Sequence, residues 1–170
     1  MNKLRLRKIA FCGILTSLAV IAFTLENLFP PLIFPGARMG ISNVFILLSA
    51  LMLGSVYGYA TLVIKILLGS IFSGNVSSAL YSLPAGLLSL TVEIALISWS
   101  GKVSIVAASV CGATLNVTVQ NVVFCLVTRS MEYLSYLPYL ALIGMVSGCI
   151  IGFAVYLIIK KVKNPFTLKG

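Results

Sequence analysis

The side chains that could do chemistry in this chain are few, and most of them are uncharged. The sequence contains no histidine and no aspartate, and its three acids are Glu26, Glu93 and Glu132. The absence of these residues removes most hydrolytic catalysis, zinc chemistry and the aspartate pairs that hold magnesium diphosphates. The four cysteines have no Cys-x-x-Cys spacing and are interpreted as packing residues. The sequence therefore argues against an enzyme and predicts neither a metal nor a cofactor bound to this chain.

Amide side chains form the clearest polar pattern, and small residues continue it along the same line. The members are four residues apart, which places them on one face of a helix. They are Ser104, Ala108, Gly112, Asn116 and Gln120. Hydrogen bonds to neighbouring helices would explain the two amides, and so would a polar cavity. Asn121 lies beside them and favours the cavity, so we predict that these amides bind a ligand.

A second polar face is predicted on the preceding helix. Its members are Ser82, Gly86, Ser89 and Glu93, with Tyr81 near the outer end. Counting ~1.5 Å per residue places Lys65 and Glu93 each ~10 Å from the cytoplasmic surface, on adjacent helices. An unpaired charge at that depth costs at least ~2.5 kcal/mol, so we predict a buried ion pair between the two, with a proton or ion relay as the alternative. At this depth neither side chain would reach Glu26 or Arg38.

The elements that position these side chains are predicted to be membrane helices. Apolar residues make up 60% of the chain, charged residues 9%, and the mean hydropathy is +1.13, whereas soluble proteins average roughly 45–50% apolar and about 25% charged residues. The apolar runs are continuous over ~16–25 residues, which indicates helices rather than outer-membrane strands. We therefore predict an all-α, polytopic membrane protein whose single domain, 1–170, is one bundle of six helices. The predicted helices are 9–25, 41–56, 58–72, 79–99, 103–127 and 137–159.

The net charge of +9 comes from cations beside the apolar runs, a pattern of membrane topology rather than of nucleic-acid binding. With the N-terminus in the cytoplasm, nine Lys and Arg side chains lie inside and two, Arg38 and Arg129, lie outside. No cleavage site follows the first helix. We predict a multi-pass protein of a bacterial-type cytoplasmic membrane with both termini in the cytoplasm. The nine inner cations are Lys3, Arg5, Arg7, Lys8, Lys102, Lys160, Lys161, Lys163 and Lys169.

The segment 25–43, between the first two predicted helices, is a long interruption of the apolar pattern. It contains three of the six prolines, one of the three acids and Arg38. A half-apolar, proline-stiffened segment between membrane helices is expected to cover or bind something. We predict a lid over a small-molecule pocket, with Glu26 and Asn43 as binding residues and with Arg38 steering an anionic ligand.

Two small-residue motifs predict close helix contacts. Gly144, Gly148 and Gly152 form a continuous G-x-x-x-G-x-x-x-G motif, which does not identify the partner helix. Gly13 and Ser17 form a weaker motif on the first helix. Packing inside the bundle is the simplest explanation of that second motif.

Five stretches of the sequence, taken in order and with their spacing, resemble one family of membrane proteins. This is the Gx transporter family, which is also called heptaprenyl diphosphate synthase component I. The resemblance covers roughly residues 9–127. It departs from the family pattern at Lys65, where arginine is expected, at Ala85, which replaces a glycine, and at Asn116-Val117, which replaces a His-Asn pair. The five stretches are Glu26 to Pro30, Met39-Gly-Ile-Ser-Asn43, Lys65-Ile-Leu-Leu-Gly-Ser70, Leu83-Pro-Ala-Gly-Leu-Leu-Ser89, and Ser104 with Gly112-Ala113 and Gln120.

That family in turn resembles the S components of energy-coupling factor (ECF) transporters, which are six-helix subunits that capture substrates. The resemblance implies a pocket beneath the first loop, a membrane coupling subunit, and two partner ATPases that use ATP. It also implies that the first helix docks on the coupling subunit through Ala10, Gly13 and Ser17. The implied ligand is a small organic molecule, with vitamins, isoprenoids and quinone precursors as candidates.

We therefore expect a substrate-binding membrane subunit for the uptake of a small organic molecule. The alternative is a non-catalytic membrane subunit of a heptaprenyl diphosphate synthase complex, because prenyl condensation needs aspartate-rich motifs that this chain lacks. An autonomous secondary transporter is less favoured, since six helices without an inverted repeat offer little machinery for alternating access. The predicted pocket residues are Glu26, Arg38, Asn43, Tyr81, Ser82, Asn116, Gln120 and Asn121.

Overall fold

The computed structural model of the chain describes residues 3–28, 40–100 and 103–162. Within these ranges the protein is all-helical, as predicted, with six α-helices and one short 3-10 helix before the last of them. The α-helices are α1 (Lys3–Leu28), α2 (Asn43–Leu53), α3 (Ser55–Phe72), α4 (Ser78–Ser100), α5 (Ile105–Thr128) and α6 (Leu137–Lys161), and the 3-10 helix is Met131–Tyr136. Most of the predicted lid, including Arg38, lies outside the described residues.

Five of the six α-helices are long and apolar enough to cross a membrane, which makes the chain a multi-pass membrane protein. The exception is α2, which has 11 residues and is therefore about 16 Å long, roughly half of a hydrocarbon core. The predicted span 41–56 was too long because Gly54, with a φ of 117°, ends α2 and lets α3 begin at Ser55. Asn43, at the start of this half-length helix, is thereby placed within the depth of the bundle.

Apolar side chains hold the helices together in two buried clusters. The first joins α1, α2 and α6, with Leu47 and Val155 at its centre. The second joins α2, α3 and α4, with Leu62 and Leu90 almost fully buried. Many large apolar side chains point outward instead, such as Phe153, and in a membrane that surface meets lipid. Polar side chains that lie between the helices are therefore surrounded mainly by apolar residues.

The glycine motif of α6 packs against α5. A side chain at Gly148 would come within 2.6 Å of the Cα of Val110, and one at Gly152 within 2.7 Å of the Cα of Val106. Gly144 is similarly close to the backbone of Thr114. The motif therefore lets two helix backbones approach closely, as its spacing predicts, and the partner helix that the sequence left open is α5.

The two ends of the bundle differ in charge. The antiparallel order of the helices brings the start of α1 and the end of α6 to the same end, which we call the basic end. Of the described residues, Lys3, Arg5, Arg7, Lys8, Lys160 and Lys161 lie there. Arg129, in the αL conformation after α5, lies at the opposite end. Which end faces the cytoplasm remains a prediction from this asymmetry.

Candidate functional site

Polar side chains from five helices converge on one cavity inside the bundle, which we call the central cavity. Its volume is about 60 Å³, and since one water needs ~10–15 Å³ by this measure, it has room for about four to six waters or one small polar group. The two polar faces predicted on α4 and α5 both contribute residues to it. Its polar lining consists of Glu26 from α1, Asn43 from α2, Lys65 from α3, Ser82, Ser89 and Glu93 from α4, and Asn116 and Gln120 from α5, with Ser42 just before α2.

Lys65 is held on one side of the central cavity by α1 and α2. Its ammonium group donates a hydrogen bond of 2.9 Å to Oδ1 of Asn43 and lies 5.0 Å from the ring centroid of Phe23. Phe23 is itself fixed against Gly69, where any side chain would collide with the ring. Both contacts orient a side chain that is only 5% exposed.

The predicted ion pair between Lys65 and Glu93 is absent from the described part of the structure. Lys65 turns toward Asn43 on α2, whereas Glu93 turns toward α5 and lies over Gly112. A side chain at Gly112 would occupy the space of the Glu93 carboxylate. The two charges therefore line the same cavity but face different neighbours.

The prediction that Lys65 and Glu93 lie too far from Glu26 to meet it was also wrong. Glu26, which was expected to be out of reach, lines the same cavity as Lys65 and Glu93. The short α2 brings the start of that helix inward, and α3 begins at Ser55, so that Lys65 lies about 15 Å from the start of α3. In addition, the backbone N–H of Ser42 donates to Oε1 of Glu26 at 3.3 Å, which ties the end of α1 to the start of α2.

Replacing Lys65 with methionine should destabilise the protein by about 1–3 kcal/mol, because the acceptor Asn43 would lose its charged donor inside the bundle. The matched control is Lys160→Met, since Lys160 also lies over an aromatic ring, 5.8 Å from the centroid of Tyr156, but is exposed. The control should change stability by less than about 0.5 kcal/mol. Unfolding of both purified variants in detergent measures the difference, and equal stabilities would contradict the assigned role of Lys65.

A second cavity, of about 230 Å³, lies beside the central one, and we call it the aromatic cavity. Tyr81 and Phe124 meet there edge to face, with 5.5 Å between their ring centroids. Val117 and Gln120 line both cavities. The remaining lining residues are Asn75, Asn121 and Leu140.

Every predicted pocket residue that the structure describes lines one of these two cavities. Arg38 alone lies outside the described residues. The amide of Gln120 also donates a hydrogen bond of 3.2 Å to the Ser82 hydroxyl. Gln120 therefore both lines the cavity and joins two helices, so both explanations of this amide apply. The central cavity contains Glu26, Asn43, Ser82, Asn116 and Gln120, and the aromatic cavity contains Tyr81, Gln120 and Asn121.

A chain of buried hydroxyl groups lies between α1, α2 and α3 and was not predicted. Thr61 donates to Ser49 at 3.1 Å, and Thr16 donates to Thr61 at 3.2 Å. The thiol of Cys12 lies 3.5 Å from the Thr61 oxygen. Cys12 and Thr16 are four residues apart on α1, but Ser49 and Thr61 belong to other helices. Only the packing of three helices brings these residues together.

The small-residue face of α1 points away from the bundle. Ala10, Gly13 and Ser17 are all exposed, and a side chain at Gly13 would meet nothing within 4 Å. The Ser17 hydroxyl donates to the carbonyl of Gly13, 2.9 Å away, within the same helix. Packing inside the bundle, the simplest explanation of this motif, is therefore wrong, and none of the described residues covers Gly13.

These features define the class of protein as a helical membrane protein with a polar cavity between its helices. The chain belongs to the heptaprenyl diphosphate synthase component I family, whose sequence model matches residues 15–158. No curated protein matches the chain, and no solved structure does. The match covers all the described residues that line the two cavities.

Proposed function

We propose that this chain is the substrate-binding membrane subunit of an uptake system, similar to the S component of an ECF transporter. The observation that carries the proposal is the central cavity, in which polar side chains from α1 to α5 meet inside an otherwise apolar bundle. Ionisable side chains are costly within a membrane and usually mark a site for substrate or ions. Pockets between bundle helices are also common places for small ligands.

The orientation that fits this function places the basic end in the cytoplasm. Lys and Arg side chains near helix ends are retained on the cytoplasmic side. The end of α1 and the start of α2 then lie on the outer side, where Glu26 and Asn43 line the central cavity. Energy would come from two partner ATPases acting through a membrane coupling subunit.

The open face of α1 is where this coupling subunit would dock. Small residues let two membrane helices approach closely, and the described structure places nothing over Gly13. Replacing Gly13 with leucine should therefore remove the coupling subunit and ATPases from a pull-down of the full-length chain. Cys149→Leu is the control, because Cys149 is a small exposed residue on α6, and it should leave the complex intact.

The same pull-down tests the proposed function itself. Recovery of a coupling subunit and ATPases with the wild-type chain supports it. Recovery of a soluble prenyl synthase instead contradicts it, and supports the second candidate. Equal recovery of the partners with Gly13→Leu and with the wild type would contradict the docking face while leaving the function in place.

The second candidate is a non-catalytic membrane subunit of a heptaprenyl diphosphate synthase, which the family name favours. The name describes one component of a synthase, so it implies a further component as partner. Because the chain contains no aspartate, the aspartate-rich magnesium site of prenyl condensation would have to belong to that partner.

A further inference from the structure

We infer that the ligand of this site is a small organic cation, with its positively charged nitrogen against Glu93 and a flat apolar group in the aromatic cavity. The inference rests on the proposed function and narrows its substrate class. Three observations carry it: the environment of Glu93, the balance of charges in the central cavity, and the shapes of the two adjoining cavities.

Glu93 directs its carboxyl group into the central cavity. In the described parts of the chain it has neither a hydrogen bond nor an ion pair, although it is packed between α4 and α5. A carboxylate removed from water needs a donor or a cation to offset the loss of solvation. Gly112 supplies room for the carboxylate but no donor side chain. The missing partner is therefore a group that a ligand can bring.

The charges around the cavity favour a cationic partner over an anionic one. Two carboxylates, Glu26 and Glu93, line the described part of the cavity, against the single ammonium of Lys65. Lys65 is already directed toward Asn43 and Phe23. A phosphate or diphosphate would bring further negative charge beside these acidic side chains in a medium of low dielectric constant, whereas a protonated amine can donate its N–H groups to Glu93.

The cavity shapes indicate a ligand with two different parts. The central cavity, at about 60 Å³, holds only a small polar group, whereas the aromatic cavity has about 230 Å³. Gln120 and Val117 belong to both, so one molecule can occupy the two together. The rings of Tyr81 and Phe124 offer an apolar wall on which a flat group can pack.

Three probes with one ring and different head groups test the inference: benzylamine, benzyl alcohol and benzyl phosphate. Dissociation constants come from the thermal stabilisation of the full-length chain in detergent at neutral pH. We expect benzylamine to bind at least about tenfold more tightly than benzyl alcohol, because hydrogen bonds between charged groups are the strong ones, and we expect benzyl phosphate to bind most weakly. In Glu93→Gln the advantage of the amine should disappear. The control Glu132→Gln, which changes an exposed acid, should retain it.

Gly112→Ala provides a second variant should Glu93→Gln fail to fold. The new methyl group displaces the flexible Glu93 side chain, so the amine should lose affinity while the alcohol changes little. Equal binding of amine and alcohol by the wild type, a preference for the phosphate, or no binding of benzylamine at all would each overturn the inference. None of these outcomes would contradict the proposed uptake function, because the pull-down tests that function separately.

Discussion

Replacing Asn116 and Gln120 together with alanine should abolish the thermal stabilisation that the ligand confers on the purified chain. Both amides line the central cavity, and Gln120 also lines the aromatic cavity. Each hydrogen bond contributes about 0.5–1.5 kcal/mol, so the loss of two lowers the affinity by roughly five- to 150-fold. At a ligand concentration close to the dissociation constant of the wild type, the ligand should therefore raise the melting temperature of the variant little or not at all.

The control for this experiment is the double variant Thr114→Ala, Thr118→Ala on the same helix. Both hydroxyls donate to carbonyls of α5 itself, at 2.8 Å, and neither residue lines a cavity. The control should bind the ligand as the wild type does. If the alanine variant of the amides also binds with unchanged affinity, the pocket has been placed wrongly, although the membrane fold would stand.

Replacing Gly148 with leucine should be the most destabilising single change in the bundle. A Cβ at this position would lie 2.6 Å from the Cα of Val110 and 2.8 Å from the carbonyl oxygen of Ser109, both of which belong to the backbone. Backbone atoms cannot avoid the clash by a change of rotamer, as a side chain can, so α6 must move away from α5. We expect a loss of about 3 kcal/mol or more, at the upper end of the overpacking range, measured by unfolding in detergent.

Gly13→Leu is the matched control for that substitution. Gly13 also lies within a helix, but nothing is within 4 Å of the position that a Cβ would take. Its replacement should not lower the stability, because leucine is a better helix former than glycine by several tenths of a kcal/mol or more. A variant at Gly148 that is as stable as the one at Gly13 would show that α5 and α6 do not pack through this motif.

Much of the candidate site could be predicted because helical spacing alone determines which residues share a face. All four residues of the series that ends in Glu93 line the central cavity, as do the last three of the series that ends in Gln120. The start of α5 was predicted within two residues, and Ser104 caps it by accepting a hydrogen bond of 3.1 Å from the N–H of Ala107. These features depend on local sequence only.

The contacts between helices could not be predicted in the same way. Lys65 meets Asn43 instead of Glu93 because α2 is short, and α2 ends where Gly54 adopts a positive φ. An error of a few residues in a helix boundary shifts a side chain by several ångströms along the membrane normal. The packing of small-residue motifs could not be predicted from their spacing either. The motif that contains Gly148 packs on α5, whereas no described residue packs on the motif that contains Gly13, although both motifs have the same spacing.

Native mass spectrometry of the full-length chain, released gently from detergent, tests the central claim most directly. The account predicts that the wild type carries one bound small molecule, which persists in Thr114→Ala, Thr118→Ala and is lost in Asn116→Ala, Gln120→Ala. Two results would contradict a ligand site lined by α1 to α5. One is a molecule that binds the amide variant as firmly as the wild type. The other is a wild type that retains no molecule even after incubation with an extract of its own cells.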